Sequence, residues 1–191
     1  MKEPGRSHKA ATERILIAGF GGQGVLSLGK LLVAAGMKEG RHVSYLPSYG
    51  AEVRGGSANC HVVISDKEIA SPMAEYPDSA LLFSQPSYDR FWANMKPASC
   101  LILNTSTIKS HDEISDKEVD LISVPATEIA AELGNSVVAN LVMIGAYLAH
   151  KPVVSPDAFW GTFQEAFGKR KSGMMELNRK AFERGQALVQ A

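Results

Sequence analysis

Cysteine is scarce: the 191 residues hold two, Cys60 and Cys100, forty positions apart and outside any CxxC pair. An iron–sulfur cluster normally takes four thiolate ligands, so this chain alone cannot hold one. Cys60 is followed by His61, but neighbouring strand residues point to opposite faces and cannot easily share a metal. Both thiols precede apolar runs, Val62 to Ile64 and Leu101 to Leu103, which predicts buried, inert side chains. The five histidines show no pair at metal-ligand spacing, so no metal site and no catalytic histidine is expected. Surplus charge is lacking as well. Twenty basic side chains balance twenty acidic ones, which gives nucleic acid or an anionic membrane no global field to follow. Long apolar runs are missing too: nothing reaches the ~18 residues of a membrane span, and the mixed stretch 136–150 comes nearest. Lys2, Arg6, His8 and Lys9 are not followed by the roughly 7 to 15 apolar residues of a secretory signal. The expectation is a cytoplasmic protein with no nucleic-acid or membrane partner.

What is present suits an ordinary globular chain. Hydrophobic residues make up 45% and charged residues 21%, enough apolar surface to close a core without disulfides. Residues 1–12 read as a flexible tail and 13–191 as a single α/β domain. The run RILIAG at 14–19 is a strand closed by glycine, and residues 25–37 have helical spacing in Leu26, Leu28, Leu31, Leu32 and Met37. Further strands fit 42–46, 59–65, 79–83, 99–104 and 120–124, with helices at 87–94 and 126–133. Such alternation predicts a three-layer α/β/α, Rossmann-like fold around a mostly parallel sheet. Asp66 and Lys67 read as a hairpin turn into 68–70, which would make that sheet mixed. Residues 136–150 are apolar almost all round, the mark of a buried helix. Ser155 and Pro156 announce a helix through 167, and Leu177, Ala181, Gly185 and Leu188 form one stripe on a last helix.

The first chemically suggestive element is GFGGQG at 19–24, set where a strand ends and a helix begins. Gly19, Gly21 and Gly24 match GxGxxG, with Gly22 and Gln23 between them. Such a turn brings backbone close to a phosphate that rests on the exposed amides of the helix. A nicotinamide site would also need a carboxylate at the end of the second strand. That strand runs instead into Leu46, Pro47 and Ser48, with Glu39 in the preceding loop. Glycine packing of helix on sheet remains the plain alternative. Lys30 is no phosphate-loop lysine, because Leu31 stands where Ser or Thr would hold magnesium. No GxSxG elbow supports a hydrolase.

The second element is SYGAEVRGGSANC at 48–60, dense in polar groups. Tyr49 brings a hydroxyl, Glu52 a carboxylate and Arg54 a guanidinium, ahead of Gly55 and Gly56. If both loops leave the carboxyl ends of parallel strands, they converge on the edge where open α/β sheets bind ligands. A solvated loop with a weak Glu52–Arg54 pair is the bland alternative.

GFGGQGVLSLGKLL followed by YGAEVRGG resembles the gamma subunit of 2-oxoacid:ferredoxin oxidoreductases. The continuation SANCHVVISDKEIASP is most similar to the 2-oxoglutarate branch. The resemblance implies an oxidoreductase subunit that is inactive alone and binds no cofactor by itself. It implies a complex that uses thiamine diphosphate, iron–sulfur clusters and coenzyme A, with thiamine-binding and iron–sulfur subunits as partners and ferredoxin as acceptor. Gly19, Gly21, Gly22, Gln23, Gly24, Tyr49, Glu52, Arg54, Gly55 and Gly56 are then the candidate binding residues for coenzyme A phosphates or a neighbouring subunit. A free-standing nucleotide-binding oxidoreductase and a purely structural subunit are the competing readings.

Overall fold

The structure is a computed structural model that describes residues 12–49, 56–110, 118–168 and 172–190. Six strands, β1 (Glu13–Phe20), β2 (His42–Tyr49), β3 (Ser57–Ser65), β4 (Ser79–Leu82), β5 (Cys100–Asn104) and β6 (Asp120–Val124), form one sheet in the order β2-β3-β1-β4-β5-β6. β1, β4, β5 and β6 pair in parallel, whereas β3 runs antiparallel to both β1 and β2. The sheet is mixed as expected, but for a different reason. Glu68 to Ala70 form no strand, and Ser65 Oγ instead accepts the Lys67 N–H at 3.0 Å.

Among the described residues, six α-helices accompany the strands: α1 (Val25–Lys38), α2 (Gln85–Phe91), α3 (Ala126–Glu132), α4 (Ala139–His150), α5 (Pro156–Phe167) and α6 (Met175–Gln190). Alternation along the strands sorts the core into two unequal layers. Ile15, Ile17, Cys60, Val62, Leu81 and Ile102 face the larger one, shared with α1, α3, α4, α5 and α6. Leu16, Ala18, Ala80, Leu82, Leu101 and Leu103 face the smaller one, closed by Tyr88, Trp92, Met95 and Ile108. This is the three-layer α/β/α arrangement with one thick side.

Residues 141–148 of α4 are all buried, in keeping with their apolar circumference. Ser155 Oγ accepts the Ala158 N–H at 3.2 Å and Pro156 opens α5, so the predicted cap is formed. The stripe on α6 is shifted from expectation. Asn178, Ala181, Phe182 and Gly185 are buried, while Leu188 is exposed. The shift follows from aromatic packing, since the Phe182 ring lies 5.6 Å from Phe159 and 5.9 Å from Trp160.

Two edges of the sheet differ in chemistry. The carboxyl edge gathers the residues after Phe20, Leu82, Asn104 and Val124. Glu13, Ser79, Cys100 and Asp120 lie at the amino edge. Among the described residues, no helix is long and apolar enough to cross a membrane.

Candidate functional site

The site forms at the carboxyl edge because α1 and α2 leave β1 and β4 towards opposite faces of the sheet. Adjacent parallel strands that diverge in this way open a crevice between their ends. The β1–α1 turn fills one side of it. Gly22 and Gly24 adopt φ of 99° and 77°, left-handed values that favour glycine. Gly24 also caps α1, and the Asn140 side-chain amide occupies the space a Cβ there would take.

Gln23 holds the turn rather than reaching out of it. Its Oε1 accepts the Phe20 N–H at 2.7 Å, and its Nε2 donates to the Phe83 carbonyl at 3.3 Å. This bridge ties the end of β1 to the end of β4. No side chain caps α1 and no acidic residue stands in its first turn. The positive end of the helix is therefore directed at the cleft bordered by Gly21, Gly22, Val25 and Ser27.

The second motif meets the first through backbone. The Gly21 N–H donates to the Gly56 carbonyl at 2.9 Å, Gly19 pairs with Ala58, and Tyr49 pairs with Ala58 from the other side. Tyr49 and Gly56, the described residues on either side of this loop, thus lie at the same edge as the β1–α1 turn. Glu52, Arg54 and Gly55 lie outside the described residues.

Two deeper clefts meet at Gly22, Val137 and Asn140. One, of about 210 Å³, runs between α1 and the aromatic side chains Phe163 and Phe167. The other, of about 250 Å³, is lined by Gln23, Asn104, Thr107 and Thr127. Gln23 was a candidate from the sequence, whereas Asn104, Thr107 and Thr127 went unnoticed there. Asn104 ends β5 and donates from Nδ2 to Thr127 Oγ1 at 2.9 Å, while Thr107 Oγ1 donates to the Phe83 carbonyl at 2.8 Å. A polar residue closing an otherwise apolar strand was the available signal. None of the described lining residues has an ionisable side chain. The crevice can hold a ligand by amide and hydroxyl hydrogen bonds, and it has no described group to move a proton.

Other candidates resolve simply. Glu39 Oε1 accepts the Ser155 N–H at 2.8 Å, so its carboxylate is engaged ahead of α5 rather than placed at the end of β2. Lys30 is exposed on α1, and Trp92 and Trp160 are buried packing residues. Cys60 and Cys100 are buried free thiols. Burial pushes each up to about 12, so neither thiol ionises near neutral pH without a cation at its sulfur.

A model of the pyruvate ferredoxin/flavodoxin oxidoreductase family matches residues 14–188, a span that includes both motifs and the crevice between them. The chain belongs to this family. It is 40% identical over 175 residues to ketoisovalerate oxidoreductase subunit VorA of Methanothermobacter marburgensis, covering 90% of this chain and 35% of that protein. The chain therefore spans about a third of that relative's length. It is 35% identical over 182 residues to 2-oxoglutarate synthase subunit KorC of Methanothermobacter thermautotrophicus, covering 93% of this chain and 95% of that one. The crystal structure of a keto/oxoacid ferredoxin oxidoreductase gamma subunit from Geobacter sulfurreducens shares its fold, with a TM-score of 0.78 and 26% identity over 93% of this chain and 98% of that one. Within the pyruvate ferredoxin/flavodoxin oxidoreductase family the chain is of the gamma-subunit type, as the paired motifs predicted.

Proposed function

We propose that this chain is the gamma subunit of a complex that oxidises 2-oxoglutarate with coenzyme A and passes the electrons to ferredoxin. The observation that carries the reading is the crevice itself: a helix N-terminus with no side-chain cap, joined through Gly21 and Gly56 to the loop of Arg54, and described lining without an ionisable group. Such a surface suits phosphates and a neighbouring backbone, not acid–base chemistry. Thiamine diphosphate and iron–sulfur clusters supply carbanion stabilisation and electron transfer from partner subunits in this reading. With two cysteines, the chain falls short of the four ligands a cluster takes. The match to the 2-oxoglutarate synthase subunit along 95% of its length supports the substrate.

The higher identity to the ketoisovalerate subunit, 40%, favours a second reading with a branched-chain oxoacid. Reconstitution with the thiamine-binding and iron–sulfur subunits decides between them, by comparing kcat/KM for 2-oxoglutarate, ketoisovalerate and pyruvate. We expect 2-oxoglutarate to lead; a lead for ketoisovalerate replaces the substrate, and turnover by the isolated chain overturns the subunit assignment. In the same complex, Arg54→Lys keeps the charge but loses the planar fork of donors. Loss of a charge-assisted contact of about 1.5 to 3 kcal/mol should raise the coenzyme A requirement or weaken assembly roughly tenfold to hundredfold. Curves that overlay the unaltered complex would reduce Arg54 to a solvated loop residue.

A further inference from the structure

Three potential metal ligands, distant in sequence, meet at the amino edge of the sheet, across the molecule from the glycine turn. Cys100 opens β5 and Asp120 opens β6, and the two are register partners in parallel strands, so their side chains leave the same face. His150 ends α4, which packs on that face. The Cys100 Sγ, an Asp120 carboxylate oxygen and a His150 ring nitrogen all lie within 4.8 Å of one another. We propose that Cys100, Asp120 and His150 bind one divalent cation of the zinc type, with water as the fourth ligand.

Thiolate, imidazole and carboxylate are the ligand types zinc takes, and tetrahedral coordination at about 2.0 to 2.3 Å needs only a modest closing of this triangle. Cys100 is 2% exposed and forms the floor, while the Asp120 and His150 side chains are 51% and 30% exposed, which leaves a solvent side for water. His150 Nε2 and Asp120 Oδ2 are hydrogen-bonded to each other, and the ion takes the place of that contact. The C-terminal, negative end of α4 favours a cation there. Charge balances as well: thiolate and carboxylate neutralise the ion, and the nearby Lys151 ammonium is paired with Glu13 at 2.7 Å. Binding releases the thiol proton of Cys100 to solvent.

The test is titration of the reduced, metal-free full-length chain with cobalt(II), whose d–d and thiolate charge-transfer absorptions report tetrahedral geometry and a sulfur ligand. One equivalent should generate both bands, and zinc should displace them. Cys100→Ser should abolish the charge-transfer band. His150→Gln and Asp120→Asn should weaken binding by more than the roughly tenfold to hundredfold that loss of a supporting hydrogen bond costs. These two positions are outside the core and decide the matter if Cys100→Ser fails to fold. A folded chain without the thiolate band, a band that survives Cys100→Ser, or unchanged binding in both His150→Gln and Asp120→Asn overturns the proposal.

Discussion

The Cys60 thiol lies beneath α1, 3.7 Å from the Val25 carbonyl, and a Cβ on Gly29 would stand 2.5 Å from its sulfur. Burial pushes this thiol up to about 12 from an ordinary value near 9, against a smaller opposing effect of the backbone at Gly29. The folded state therefore holds the proton more tightly than the unfolded chain does. The contribution to stability is complete below the unfolded value near 9 and is lost as pH rises towards 12. Each pH unit within that window should shift the folding equilibrium by about tenfold for this thiol. Cys60→Ala removes the effect, so its stability, although lower at neutral pH, should fall less steeply from pH 9 to 12. Chemical denaturation at a series of pH values measures both slopes. Parallel slopes would show that the buried thiol does not govern alkaline unfolding.

Between helices, the deciding residues are those without side chains. A Cβ on Gly145 of α4 would collide with the Phe182 carbonyl of α6, and one on Gly185 of α6 with the Val142 carbonyl of α4. The two helix backbones therefore touch. Gly→Ala in a helix ordinarily stabilises by up to about 1 kcal/mol, but backbone cannot yield as a side chain does, and overpacking costs about 1 to 3 kcal/mol. Gly185→Ala should consequently lower the melting temperature by several degrees, whereas Gly161→Ala on α5, where nothing lies within 4 Å, should raise it. Shifts of the same sign in thermal denaturation would refute the close packing. The same contact explains what was legible in α6. Ala181 and Gly185 were identified by helical period, but the period alone could not show that Phe182 turns inward to stack on Phe159 while Leu188 faces solvent. Strands β1, β3 and β5 were legible because each is a largely apolar run that ends at a polar residue or just before glycine, whereas β2 runs past the expected Leu46 to Tyr49. The false hairpin after Ser65 arose because Asp66 and Lys67 suit a turn, whereas pairing depends on β1 and β2 already flanking β3.

At the scale of the molecule, the candidate site was legible as two loops but not as a crevice. GFGGQG and the following loop declare themselves by glycine and polar density, and strand order then makes them neighbours through Gly21 and Gly56. Asn104, Thr107, Thr127 and Asn140 are unremarkable until that order brings them beside Gln23. The same limit hides Cys100, Asp120 and His150 from any search by spacing. Strand direction also separates the exposed apolar residues into two populations. Phe20, 37% exposed, and Val137, 60% exposed, flank the crevice at the carboxyl edge. Met37, 63% exposed, sits near the other end of α1, towards the amino edge. If the crevice edge is the surface that meets the partner subunits, an exposed apolar side chain there is buried on assembly, and one at the far end of α1 is not. Burying a valine is worth about 1.5 to 3 kcal/mol, and a carboxylate in its place adds a desolvation cost. Val137→Glu should then weaken association with the partner subunits by roughly tenfold or more, while leaving the melting temperature of the free chain nearly unchanged. Met37→Glu, equally exposed, should leave association as it was. Sedimentation or light scattering of the reconstituted mixture measures both, and equal effects of the two substitutions would place the assembly surface away from the glycine turn.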